Sequence, residues 1–406
     1  MPKLSLHQVE FFFLLALAFF LPALEAPKNI SVVFYLLFWV VNRWRSGDWG
    51  GRWSGWDSLV VALIVSAYAA AFFSGLPGKN LSGGNDVLVY GLLLITLRRS
   101  SLTPSQLWTL LGVLVAGTLI TLAYGYWGLL ITQQRKTLGL NSVGHVNHSA
   151  VYMGVVFSLA LAGASVSQLV WKTRWLLWLA TGLLFISLLV TSARGAVIPA
   201  VAFMLLWGIF IAVRRSINVW KPALLATVLL AGGLWLQPGL VVKTASNIQT
   251  GQMGSYRPAL ARTALLAARE YPVFGVGLNN FIKIDAAMTK DWQDKHGRWF
   301  ADDDLYFASH AHSLYFNTLA ERGLVGFAAL LAMLAAMVTA LWRSMPGKSA
   351  SPLSLTLWGG AVGATLMMIL GGLFNTTLHH ENAALTMLLF GIWMASRNAP
   401  QENASP

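Results

Sequence analysis

The stretch "SHAHSLYFNTLAERGLVGFAALLAML", Ser309 to Leu334, sets how the whole chain reads. Its second half is an unbroken apolar run, and its head carries His310, His312, Glu321 and Arg322. Ionisable groups at the edge of hydrocarbon cost energy, so they mark an interface or a site. The rest of the chain has the same texture. Of 406 residues, 56% are hydrophobic and 11% are charged, against about a quarter charged in a soluble domain. The apolar runs are continuous rather than alternating, which favours helices over a barrel. The fold class is therefore an all-α polytopic membrane protein with about 12 transmembrane helices.

The apolar segments lie at 8–25, 29–42, 57–75, 86–98, 104–131, 149–169, 175–192, 196–214, 222–242, 313–342, 353–374 and 383–396. Several are shorter than the about 20 residues a crossing needs and must borrow flanking residues. The first 26 residues resemble a signal peptide ending "PALEA", but a second apolar run follows at once, which favours an uncleaved first span. With a cytoplasmic N-terminus, fourteen Lys or Arg fall inside, from Lys3, Arg43 and Arg45 to Arg343, Lys348 and Arg397. Only Lys28, Lys79, Arg135, Lys136 and Arg194 fall in the short outer loops. That asymmetry orients both termini to the cytoplasm. Four regions follow: spans one to nine (1–242), one long outer loop subdomain with short helices (243–312), spans ten to twelve (313–396) and a disordered cytoplasmic tail (397–406). Within the loop, apolar spacing from Pro258 to Glu270 predicts a helix, stopped at Tyr271-Pro272, and Gly275–Gly277 reads as a turn.

The chain has no cysteine, which excludes disulfides and thiolate metal sites. No nucleotide-binding or H-E-x-x-H motif occurs, so an ATP-driven mechanism has no support. The net charge of +13 fits loops beside anionic lipid and also an anionic substrate. His312 reads either as a polar residue at a helix start or as a base, because imidazole titrates near working pH. Arg194, in "TSARGA", lies in a tight outer turn, where it either snorkels or ligates an anion. Arg257 opens the loop helix, with Arg262 and Arg269 further along it. Arginine forks and a helix N-terminus both suit phosphate oxygens, although a solvated amphipathic face gives the same pattern. Asp302, Asp303 and Asp304, with His310, form a candidate cation site or a plain solvated loop. His379, His380 and Glu381, like His145 and His148, either line a cavity or are loop polarity.

The stretch "HSLYFNTLAERGLVG" (His312 to Gly326), together with "TSARGA" and "REYPVFGVGLNNF", resembles the bacterial superfamily of O-antigen ligases, O-antigen polymerases and protein O-oligosaccharyltransferases. The likeness covers roughly residues 185 to 330. It implies a GT-C-like glycosyltransferase of the bacterial inner membrane with a periplasmic active site. The implied donor is a glycan on undecaprenyl pyrophosphate. In the ligases the acceptor is lipid A-core, giving mature lipopolysaccharide. The family's histidine maps onto His312, and its two arginines onto Arg194 and Arg257. Ala261 stands where the family often has an aromatic residue, which keeps Arg262 as a second candidate. His312, Arg257 and Arg194 are thus the expected catalytic residues, and Arg262, His310, Arg322, His379 and His380 the expected substrate contacts. Inversion without metal or other cofactor is expected, with membrane lipids but not nucleic acid as further partners. No soluble C-terminal domain follows the last span, which favours a ligase over a protein-glycosylating relative. Polymerase activity is the nearest alternative. A lipid or glycan transporter is a different one, and it would place ionisable groups mid-span.

Overall fold

The computed structural model describes residues 5–78, 80–166, 169–214 and 256–398. Among the described residues there are thirteen α-helices and no strand. They are α1 (Leu6–Phe20), α2 (Glu25–Ser46), α3 (Gly55–Phe72), α4 (Ser82–Arg98), α5 (Pro104–Tyr126), α6 (Val146–Ala164), α7 (Trp171–Val190) and α8 (Arg194–Arg214). After them come α9 (Arg257–Glu270), α10 (Ala286–His296), α11 (Leu314–Arg343), α12 (Pro352–Gly371) and α13 (His380–Asn398). Eleven of the twelve apolar segments are helical, and the segment at 222–242 lies outside the described residues, as do 243–255 and most of the tail.

Among the described residues, seven helices are long and apolar enough to cross a membrane: α3, α5 with a π-helical extension to Ile131, α6, α7, α8, α11 and α12. The chain is a multi-pass membrane protein. α1 and α4 have 15 and 17 residues, and α2 carries Glu25, Lys28, Arg43 and Arg45, so these depart from a simple apolar span. One face of α7 exposes Trp171, Trp175, Leu176, Leu179, Leu183 and Ile186, the composition expected where a helix meets lipid and its interface.

Local signals set the helix starts. Ser5 with Gln8, and Thr103 with Gln106, form capping boxes, and Pro104 and Pro352 occupy first-turn positions that lose no hydrogen bond. α6 and α12 form the centre of the bundle, nearly all of α6 being buried. Lipid gives no hydrophobic drive between helices, so close packing of small residues must hold them. Gly359 and Gly363 on α12 face Ala162 and Ser158 on α6. A methyl at Gly363 would lie 2.1 Å from Ser158 Cβ, and one at Gly359 would lie 2.6 Å from Ala162 Cβ.

The bundle has two polar ends. At one, Asp57 accepts from Arg98 at 2.7 Å and pairs with Arg99 at 2.9 Å, and Arg43 donates to Arg99 O at 3.1 Å. α2 and α4 run from that basic end to the other. There Lys28 binds Glu381, Asp86 meets His380, and α6, α8, α11 and α13 begin.

α11 differs from the uninterrupted span expected at 313–342. Gly323 has φ 59° and ψ −163°, so the helix breaks there. The loop from Pro272 to Gly277 fills the break. Leu324 and Val325 donate to Pro272 O and Val273 O at 2.7 and 3.3 Å, while Ala320 O and Glu321 O accept from Val276 and Gly277 at 2.9 and 3.0 Å. Backbone groups freed by the kink are thereby satisfied, as a membrane-embedded chain requires. The segment 324–343 alone has the about 20 residues a crossing needs. Beneath the loop, Leu260, Ala264 and Ala267 of α9 pack with Phe281, Trp292, Leu305, Ala311 and Ala320 in a second, smaller core. α9 spans Arg257–Glu270 and Gly275 and Gly277 take φ 70° and 94°, as their sequence spacing predicts.

Candidate functional site

Three segments distant in sequence meet in a cavity of about 390 Å³ at the end of the bundle where α6, α8 and α11 begin. The turn between α7 and α8 supplies Ser192 and Arg194. The start of α9 supplies Tyr256, Arg257 and Leu260. The segment before α11 supplies Tyr306, Ala308 and His312, and Asn147 of α6 completes the wall. The three expected catalytic residues, Arg194, Arg257 and His312, therefore line one space. Tyr256 and Tyr306 stack at 4.1 Å on its rim.

The backbone is strained on both sides of this space. Ser192 and His312 have φ 55° and 48°, a left-handed conformation uncommon outside glycine that persists only where surroundings enforce it. For His312 those surroundings are explicit. Its N–H donates to His310 Nδ1 at 3.1 Å, Ala311 N–H donates to Asn317 Oδ1 at 3.0 Å, and Ser313 Oγ and Leu314 N donate to Gly372 O at 3.2 and 2.8 Å. Asn317 in turn donates to Glu321 at 3.0 Å, and Glu321 accepts from Phe281 N at 3.2 Å. The motif's Asn317 and Glu321 thus fasten the histidine's loop to the 276–281 loop.

Electrostatics favour an anion here. Burial, then the positive field of Arg194, lowers the Arg257 pKa. Burial, then Arg257 and His145, lowers the His312 pKa, which favours the neutral imidazole. Arg257 also lies 5.7 Å from the Phe374 ring.

The expected substrate contacts divide. His310 and His379 line a neighbouring cavity, also about 390 Å³, with Asp86, Tyr90, His148, Asn317, Glu321 and Arg322. The His310–His312 rings are 4.0 Å apart and bridge the two spaces. Burial with neighbouring histidines pushes His310 down to about 4 and His379 to about 3. Arg322 is buried and donates to Leu63 O at 2.8 Å and Ser66 Oγ at 2.6 Å of α3. Arg262 pairs with Asp304 at 3.0 Å and lies over Phe300, and it is not among the residues that line the arginine–histidine cavity. Asp302 pairs with Arg298 at 2.8 Å, and the three aspartates are exposed. His380 faces Asp86.

Reading the sequence alone missed Asp86, Tyr256, Tyr306 and Ser192. Asp86 had a usable signal, since it is a carboxylate at the head of an apolar segment. The tyrosines and Ser192 had none, because only the folded chain brings residues 192, 256, 306 and 312 together. Against known families, residues 179–331 match the model described as O-antigen ligase. No curated protein matches the chain.

Proposed function

We propose that the chain is a transferase of the O-antigen ligase or polymerase type, a reading supported by the match of residues 179–331 to the family model described as O-antigen ligase, and that within that class it is the ligase. It moves a glycan from undecaprenyl pyrophosphate to a sugar hydroxyl of lipid A-core, on the periplasmic face of the inner membrane, in lipopolysaccharide biosynthesis. The observation that carries this reading is the cavity shared by Arg194, Arg257 and His312.

The chemistry follows from those groups. Arg194 and Arg257 grip the diphosphate by bidentate hydrogen bonds. They stabilise the charge that grows on it as the glycosidic bond breaks. His312, neutral, removes the proton from the acceptor hydroxyl as its oxygen attacks the anomeric carbon from the face opposite the leaving group. One displacement inverts that carbon. The diphosphate leaves without a strong general acid, so the two guanidinium groups take the part a divalent metal plays elsewhere, and the transfer step is metal-independent. The stacked Tyr256 and Tyr306 give the rim an apolar, sugar-compatible face.

Deletion of the gene followed by analysis of surface glycolipid tests the assignment. A ligase leaves core without long chains while lipid-linked polymer accumulates. A single repeat unit on the core would identify a polymerase instead.

A further inference from the structure

At the head of α13 two adjacent histidines converge on one carboxylate. His379, His380 and Asp86 of α4 each offer a ligand atom, and all three atoms lie within 4.8 Å of one another. His380 Nδ1 is 3.2 Å from Asp86 Oδ2. Two ligands bound tetrahedrally at about 2.0 Å from zinc stand about 3.3 Å apart, so that edge of a coordination site already has its length. The His379 and His380 rings are 3.7 Å apart and nearly perpendicular, at 81°.

The backbone supplies a second observation. His379 lies in the bend that leads into α13, and His380 is the first residue of that helix. His380 takes φ 43°, a costly conformation for a residue with a side chain, and the next residue, Glu381, is fastened by Lys28. An ion pair between His380 and Asp86 explains the 3.2 Å contact. It does not explain why His379 turns to the same carboxylate. A third observation is room: Asp86 and His379 line the second cavity, and the His148 ring is 5.6 Å from that of His379.

We propose that Asp86, His379 and His380 bind a first-row transition-metal cation such as Zn²⁺, with the fourth position open to the cavity. Two imidazoles select such a cation over Mg²⁺ or Ca²⁺. Drawing the widest pair together takes a shift of about 1.5 Å or less, within reach of side-chain rotation. The ion ties α4 to the turn between α12 and α13. It acts as a clip beside the arginine–histidine cavity and takes no part in the transfer.

The test uses full-length protein purified in detergent through a tag without histidine, stripped with chelator, then titrated with Co²⁺ and Zn²⁺ alone. One Co²⁺ per chain should bind, with the visible absorption of nitrogen and oxygen ligation. Asp86→Asn and His379→Ala should each lose at least about tenfold in affinity, and His296→Ala, on α10, should lose none. Zn²⁺ should also raise the unfolding temperature of the stripped wild-type chain, a readout that needs no variant to fold. Absence of binding by the wild type, or equal binding by Asp86→Asn, overturns the site and leaves the proposed transfer untouched.

Discussion

His312 combines a left-handed backbone, a half-buried ring and a guanidinium neighbour. Each bears on its proposed use as a base. Its pKa lies below 6.5 through burial first and Arg257 second, and only the neutral ring accepts a proton. The transfer rate should therefore rise with pH through a value below 6.5 and then level off. Arg257→Ala removes a positive neighbour, so the pKa rises and the acid limb should move to higher pH. The rate itself should fall by about 10²–10³, as for loss of one charge-stabilising donor. A pH–rate profile of the residual transfer checks both, and an unmoved acid limb would deny the coupling. At this scale the sequence is informative where a signal is local: His312, Arg194 and Arg257 each sit in a short motif, and the structure brings the three to one cavity. It was silent on pairings across long separations. Arg322 and α3 are more than 250 positions apart in sequence, and nothing near Arg262 in the chain announces Asp304.

Among the elements, α11 diverges most from its sequence reading. A single glycine inside an apolar helical pattern normally leaves the helix intact, so the break at Gly323 could not be read from Leu314 to Arg343 alone. The partner loop causes it. Pro272–Gly277 inserts its backbone where helix hydrogen bonds would run, and Gly275 and Gly323 permit the approach. A Cβ at Gly323 would sit 2.4 Å from Val273 O, and one at Gly275 would sit 2.5 Å from Ala320 O. This explains why two landmarks some forty positions apart occur together, since each is the other's backbone partner. Gly323→Ala combines a glycine-only conformation with that clash. It should cost about 1–3 kcal/mol and loosen the anchor of His312, seen as a lower unfolding temperature together with reduced transfer. An unfolding temperature equal to wild type would mean that α11 straightens without penalty.

For the whole molecule, the sequence delivered the helical class and eleven of the segments, because continuous apolar runs admit little else in lipid. It did not deliver how they pack. Small residues on α6 and α12 carry no strong sequence signal, yet they let these two helices approach closely. Gly363→Leu should overpack that seam at a cost of about 1–3 kcal/mol, measured as loss of thermal stability in detergent. The expected orientation puts the basic end inside and the arginine–histidine cavity outside. A chain without cysteine makes this simple to test. Asp303→Cys should react with an impermeant thiol reagent in intact spheroplasts, and Lys348→Cys only after lysis. The reverse pattern would turn the molecule over and place the cavity in the cytosol.

The central claim is that His312 deprotonates the acceptor while Arg194 and Arg257 hold the diphosphate. The most direct measurement is glycan transfer by purified His312→Ala, given matched lipid-linked donor and lipid A-core, with folding verified by an unchanged unfolding temperature. The account predicts a rate lower by about 10²–10⁴ with donor binding retained. Transfer at the wild-type rate would contradict it.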